Sequence, residues 1–142
     1  MNENMRNSTV GEIVGGILNS KLGYGLSDWF KALQNKKLKE IKDEDISRLI
    51  RQGVIVKYAV FEATNRLLEN PTMGIYDGEG LAEISKLSQE FWCKNDSLRI
   101  KLKAIIFQLT NNNLLENFEW MSESCKKEFS VNLETLKTKL LE

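Results

Sequence analysis

Turn-forming residues are scarce in this chain, and that limits what it can fold into. Pro71 is the only proline among 142 residues, and the nine glycines stop at Gly80. A multi-stranded sheet needs frequent turn residues, so the long remainder free of glycine and proline points to helices. One stretch indicates what those helices surround. Val54 to Leu68 is apolar round much of its first half, through Val54, Ile55, Val56, Tyr58, Ala59, Val60 and Phe61. A surface helix carries a single apolar stripe, and strands are usually far shorter than this segment. It therefore reads as a central buried helix that turns polar at Asn65, Arg66 and Glu69. Because β-branched residues crowd its start, a strand over 54–58 is the alternative.

The other elements follow from spacing and caps. Ser8 or Thr9 caps a first helix with Val10, Ile13, Val14, Ile17 and Leu18 inward, and Glu12 is placed for a capping box. Gly15 and Gly16 read as a helix interruption or a close-packing point, since no GK[ST] ending makes them a phosphate loop. Gly23-Tyr24-Gly25 breaks the chain, and Ser27 caps a second helix burying Trp29, Phe30 and Leu33. Asp43 to Gln52 has three carboxylates at its start, Ile46, Leu49 and Ile50 on one face, Arg51 near its end and Gly53 to stop it.

Asn70-Pro71 ends the central helix, and a loop from Thr72 to Tyr76 leads through Asp77-Gly78-Glu79-Gly80. The next helix takes Leu81, Ile84 and Leu87 inward, and Gln89 to Trp92 forms an aromatic plug on the core. Asn95 or Asp96 caps a helix with Leu98, Leu102, Ile105 and Leu109 on one side. Asn111-Asn112-Asn113 is a turn, followed by a helix striped with Leu114, Phe118, Met121 and Cys125. The last helix, from about Glu128, carries Phe129, Leu133, Leu136 and Leu140. The expectation is all-α: about seven helices in one compact domain over residues 1–142, with no repeat array and with Ile46, Leu49, Phe61, Phe91 and Trp92 in the core.

Several function classes fall away. The chain has no histidine, which excludes Ser-His and Cys-His catalysis and any zinc site that needs imidazole. Carboxylates adjacent or two apart on a helix, such as Asp43/Asp45 or Asp77/Glu79, do not face one another as an acid–base pair. What remains for an enzyme is a carboxylate pair, a lysine or a cofactor, and this is the lowest-ranked reading; no catalytic residue, cofactor site or metal site is assigned. Cys93 and Cys125 fit no CxxC pattern, and neither a signal peptide nor a membrane-spanning run is evident, so a cytoplasmic protein with reduced cysteines is expected. The formal net charge is zero. Its distribution is uneven: residues 40–92 hold six basic and ten acidic side chains, a net −4.

Four short motifs occur in order: Asp45-Ile46-Ser47-Arg48-Leu49-Ile50-Arg51-Gln52, Leu67-Leu68-Glu69-Asn70-Pro71, Tyr76-Asp77-Gly78-Glu79-Gly80-Leu81 and Glu90-Phe91-Trp92. From about Leu38 to Trp92 the chain thereby resembles the bacterial contact-dependent growth inhibition (CDI) immunity proteins. It departs from the family at Glu79-Gly80-Leu81, where an acidic residue followed by two leucines is more usual. The resemblance implies a mostly helical, non-enzymatic cytoplasmic protein. Such proteins bind and neutralise the toxic C-terminal domain of an exoprotein delivered by a sibling cell, commonly a nuclease and often a ribonuclease. The expected partner is then a cognate toxin domain, bound one to one, with no direct nucleic-acid or membrane partner.

A nuclease cleft is basic, and an acidic surface can imitate the phosphate backbone and steer association. The candidate contacts are Glu40, Asp43, Glu44, Asp45, Arg48, Tyr76, Asp77 and Glu79, with Tyr76 as an aromatic anchor. The alternative is that Asp43 and Asp77 cap helices, each contributing about 1 kcal/mol, and that Arg48 or Arg51 pairs with them. A competing function is a helical nucleic-acid-binding or regulatory protein using Arg6, Lys21, Lys36, Lys37 and Lys39. Its signature would be binding that weakens steeply with salt.

Overall fold

The structure, a computed structural model, describes residues 3–15, 28–111 and 115–141. Among these residues the protein is all-α, with eight α-helices, two 3-10 turns and one isolated antiparallel bridge between Thr9 and Lys37. It forms two compact units, Met1–Lys42 and Asp43–Glu142.

The first unit contains α1 (Val10–Gly15), α2 (Asp28–Leu33) and the 3-10 turns Glu3–Asn7 and Leu38–Glu40. Thr9 caps α1 as its spacing predicts. Its hydroxyl accepts from the Glu12 amide at 3.1 Å and donates to the Glu12 carboxylate at 3.1 Å. The bridge is carried by Val10 N–H to Lys36 O (2.9 Å) and Leu38 N–H to Ser8 O (3.0 Å). Val10, Ile13, Val14, Phe30, Leu33, Leu38 and Ile41 are buried, whereas Trp29, expected inward, is half-buried. The expected placements of Ile17, Leu18, Gly23 to Gly25 and Ser27 lie outside the described residues.

The second unit holds α3 (Asp43–Gln52), α4 (Val56–Arg66), α5 (Glu79–Ser85), α6 (Gln89–Lys94), α7 (Asp96–Asn111) and α8 (Glu123–Leu141). Their pairings close a ring: α3 packs on α4 and α5, α5 on α8, α8 on α7, and α7 back on α4, with α6 against α7. The stop at Gly53 has a physical cause. Val54 N–H reaches Leu49 O at 3.0 Å and Gly53 N–H reaches Ile50 O at 3.1 Å, the paired bonds that satisfy the last carbonyls of a helix. This geometry needs φ +73° at Gly53, and a Cβ there would meet nothing within 4 Å. Gly53→Ala is therefore expected to cost about 1 kcal/mol through backbone strain alone, read as a shift in the urea midpoint with an unchanged slope.

The strand considered for 54–58 does not form. Ile55 sits in a left-handed turn (φ 42°, ψ 44°) and α4 begins directly after it. Ala59 to Thr64 are buried without interruption, as a central helix requires. The more enclosed helix is α5, whose seven residues are all buried, including Glu79 and Glu83. Leu87 lies beyond its end and is half-buried.

Gln89 to Trp92 is more than a plug. It begins helix α6, capped by the Ser88 hydroxyl, which accepts from the Phe91 amide at 3.1 Å. Trp92 is fully buried, but Phe91, expected in the core, is half-buried and meets Trp92 edge-on at 5.0 Å. The stripe of Leu98, Leu102, Ile105 and Leu109 is buried as expected.

The helix expected from Leu114 to Cys125 is absent over the described residues 115–121, where the chain makes turns and irregular backbone. One reason is local. The Ser122 hydroxyl accepts from the Cys125 amide at 3.1 Å, an N-cap arrangement, so α8 starts at Glu123 rather than near Glu128. Aromatic contacts organise the irregular stretch instead: Phe118 lies edge-on to Trp120 at 4.9 Å, and Trp120 meets Phe129 of α8 at 5.2 Å. Met121, expected on the buried stripe, is 67% exposed.

Candidate functional site

The three carboxylates that open α3 have separate fates. Asp43 turns back along the fold. One of its oxygens accepts from Arg66 Nη1 at 3.0 Å and the other from the Asn70 side-chain amide at 2.7 Å. Arg66 also donates through Nε to Glu62 at 2.7 Å, and Glu62 is 0% exposed. One guanidinium thus serves two carboxylates, joining the start of α3 to the end of α4. Burying the Glu62 charge is tolerable only with such a partner in place. Glu44 is exposed, while Asp45 and Arg48 are half-buried. Helical spacing sets Glu44, Arg48 and Arg51 on one stripe at i, i+4 and i+7.

That stripe ends at a second polar junction. Arg51 Nη1 donates to Glu79 Oε2 at 3.2 Å, while Glu79 Oε1 accepts the Ile75 backbone amide at 2.9 Å. The Glu79 side chain is 4% exposed, so its carboxylate organises the loop from inside. The loop closes on itself through Gly78 N–H to Thr72 O (3.1 Å), Glu79 N–H to Tyr76 O (3.1 Å) and Gly80 N–H to Met73 O (2.9 Å). Met73 is buried beneath it. Gly74, at φ +129°, lies where any Cβ would collide with the Glu79 side chain. These bonds leave the loop little freedom, and they hold Ile75 at its tip with 66% of its surface exposed.

Tyr76 is half-buried beside Ile75. Burial, reinforced by the nearby carboxylates of Glu79 and Glu83, pushes its hydroxyl pKa above the ordinary 10.0. At neutral pH it is a protonated phenol able to donate a hydrogen bond. Asp77 reaches a segment distant in sequence, where one of its carboxylate oxygens accepts the Met121 backbone amide at 2.7 Å. The loop therefore joins the irregular 115–121 stretch at this point, and Met121 stands exposed beside it.

The sequence candidates thus divide. Asp43 and Glu79 are turned into the fold as ligands of Arg66 and Arg51, and Asp77 anchors Met121. Glu44, Asp45, Arg48 and Tyr76 keep surface on the second unit. Glu40 belongs to the first unit, where it is exposed and accepts the Lys37 amide at 2.9 Å. Ile75 and Met121, both exposed beside these residues, are not among the sequence candidates. The available signal was an isoleucine between Gly74 and Tyr76, an apolar side chain in a turn with no periodic stripe to bury it.

A second apolar surface lies between α7 and α8, where Ile106, Phe107, Leu140 and Leu141 line a groove of about 220 Å³ edged by Lys103 and Lys137. Among the described residues no group of three histidine, cysteine, aspartate or glutamate side chains is arranged to hold a metal ion. No described helix is long and apolar enough to cross a membrane.

Neither the curated proteins nor the solved structures contain a match to the chain. The family model described as CDI immunity proteins, by contrast, matches residues 18–102. That span covers more than half of the chain and takes in the Asp43–Arg66 junction, the Glu79 loop and α6. The resemblance read from the four ordered motifs is therefore a family relationship: the chain belongs to the CDI immunity proteins.

Proposed function

We propose that this protein binds the toxic C-terminal nuclease domain of its cognate CDI exoprotein, one to one, in the cytoplasm of the producing cell, and blocks it without chemistry of its own. The family match over residues 18–102 carries the reading, because it implies a non-enzymatic protein that binds a toxin. The nuclease assignment, most simply a ribonuclease, is what the family resemblance implies, and the charge distribution is compatible with it. Residues 40–92 carry a net −4, and Glu44 and Asp45 present carboxylates at the outer start of α3, suited to a basic phosphate-binding cleft.

The contact surface proposed on the second unit runs from Glu44, Asp45 and Arg48 along α3 to Tyr76 and Asp77. Asp43 and Glu79 serve it indirectly by fixing the helix start and the loop. Glu40 is a contact proposed separately on the first unit. An interface of about 1,600 Å² in total is within reach of a protein this size.

The test is protection. Cells induced to produce the C-terminal toxin domain encoded beside this chain should stop growing, and co-production of the chain should restore growth and preserve the cellular RNA. Continued RNA loss and arrest despite soluble, folded chain would rule the reading out.

A further inference from the structure

The two most exposed apolar side chains near the proposed contact face, Ile75 (66%) and Met121 (67%), come from segments distant in sequence. The Asp77 carboxylate, two residues from Ile75, holds the Met121 amide at 2.7 Å and brings the two segments together. Both segments are built to stay in place. The Ile75 amide is bound by Glu79, and Gly78 passes over Phe129, whose ring contacts Trp120 directly before Met121. A bulky apolar side chain held in water by a fixed backbone gains nothing for the isolated protein, and methionine is favoured in the buried centres of interfaces.

The surroundings define what fits there. Glu116, Glu119 and Glu123 flank Met121 in the chain and are all exposed. An apolar pair with an acidic surround suits a partner that offers an apolar recess edged by lysine or arginine. The family match ends at residue 102, so Ile75 lies inside the shared region and the 115–122 stretch lies outside it.

From this juxtaposition we infer that the 115–122 segment, pinned to the Ile75 loop by Asp77, is the part of the interface that selects the cognate toxin. Ile75 and Met121 enter an apolar recess on the toxin, and Glu116, Glu119 and Glu123 meet its basic edge. This rests on the toxin-binding reading above and extends it to a segment that the family relationship does not cover.

The experiment uses the full chain and the purified C-terminal toxin domain encoded beside it, titrated by calorimetry. Ile75→Ser with Met121→Ser removes apolar surface and adds no charge. The double variant should bind at least ~100-fold more weakly, since two buried apolar anchors are removed. Its helicity and melting temperature should stay close to wild type. Phe107→Ser, at an equally exposed position beside the α7–α8 groove, should bind as wild type does.

Wild-type binding together with a double variant within ~3-fold of it overturns the inference and leaves the toxin-binding reading intact. So does a dimer of the chain alone that the double variant dissolves, because the pair would then serve self-association. A wild-type chain that does not bind the toxin overturns both.

Discussion

Arg66→Ala is expected to lower the unfolding free energy by about 3–5 kcal/mol, the largest loss for any single polar residue of the second unit. The guanidinium is 13% exposed and bonds Glu62 at 2.7 Å and Asp43 at 3.0 Å. Its removal strips the cation from Glu62, which has no exposed surface and cannot recover its hydration in place. Asp43→Ala should cost less, about 1 kcal/mol, because that carboxylate is 34% exposed and leaves behind groups that water can reach. Domains of this size are stable by only about 5–15 kcal/mol, so the first change shifts a urea midpoint strongly and the second modestly. Replacing both partners, Glu62→Gln with Arg66→Met, should recover most of the loss. If Arg66→Ala costs under ~1 kcal/mol by far-UV circular dichroism, the junction is not what holds α3 to α4.

The second large effect is kinetic. Glu44→Lys combined with Asp45→Lys should slow association with the toxin by ~10-fold or more at low salt, because charges at the edge of an interface act mainly through the encounter rate. The deficit should shrink as salt screens the field, with a screening length near 8 Å at physiological ionic strength. Loss of two favourable charges at a helix N-terminus should also reduce stability, by about 1–2 kcal/mol in all. Rates are therefore compared at a temperature where both proteins are folded. Stopped-flow mixing at two salt concentrations checks this, and equal rates for the two proteins at low salt would place the toxin away from the start of α3.

What the sequence reveals depends on distance along the chain. The Thr9–Glu12 cap, the stop at Gly53 and the Leu98–Leu109 stripe rest on bonds or contacts within one or two helical turns, so spacing alone exposes them. Asp43 was visible as an acidic residue at a helix start, and Glu79 as one within the third motif. Their inward roles were not, because their partners Arg66 and Arg51 lie 23 and 28 positions away. For the same reason spacing gives only Leu81, Ile84 and Leu87 as inward in this region, while the buried Glu79 and Glu83 of α5 are accommodated by Arg51, the Ile75 amide and Lys86. The 114–125 stretch misled in the opposite direction. A periodic run of Leu114, Phe118, Met121 and Cys125 suits a helix, but the cap at Ser122 and the long-range bond from Asp77 to the Met121 amide settle the backbone otherwise. The exposed pair Ile75 and Met121 follows from those same distant bonds and is hidden from any local pattern.

The Arg66 and Arg51 junctions lie inside residues 18–102 and hold a loop and a charged helix start in place. In the function proposed above the toxin is neutralised by occupancy alone, so the effect should follow stoichiometry. The direct measurement is the activity of the purified cognate toxin domain, RNA cleavage on the proposed reading, titrated with the purified chain at concentrations far above the dissociation constant. The account predicts a linear fall that reaches zero at one chain per toxin, with the chain alone leaving the RNA untouched. Toxin activity that persists beyond equimolar chain, or RNA turnover by the chain itself, would contradict it.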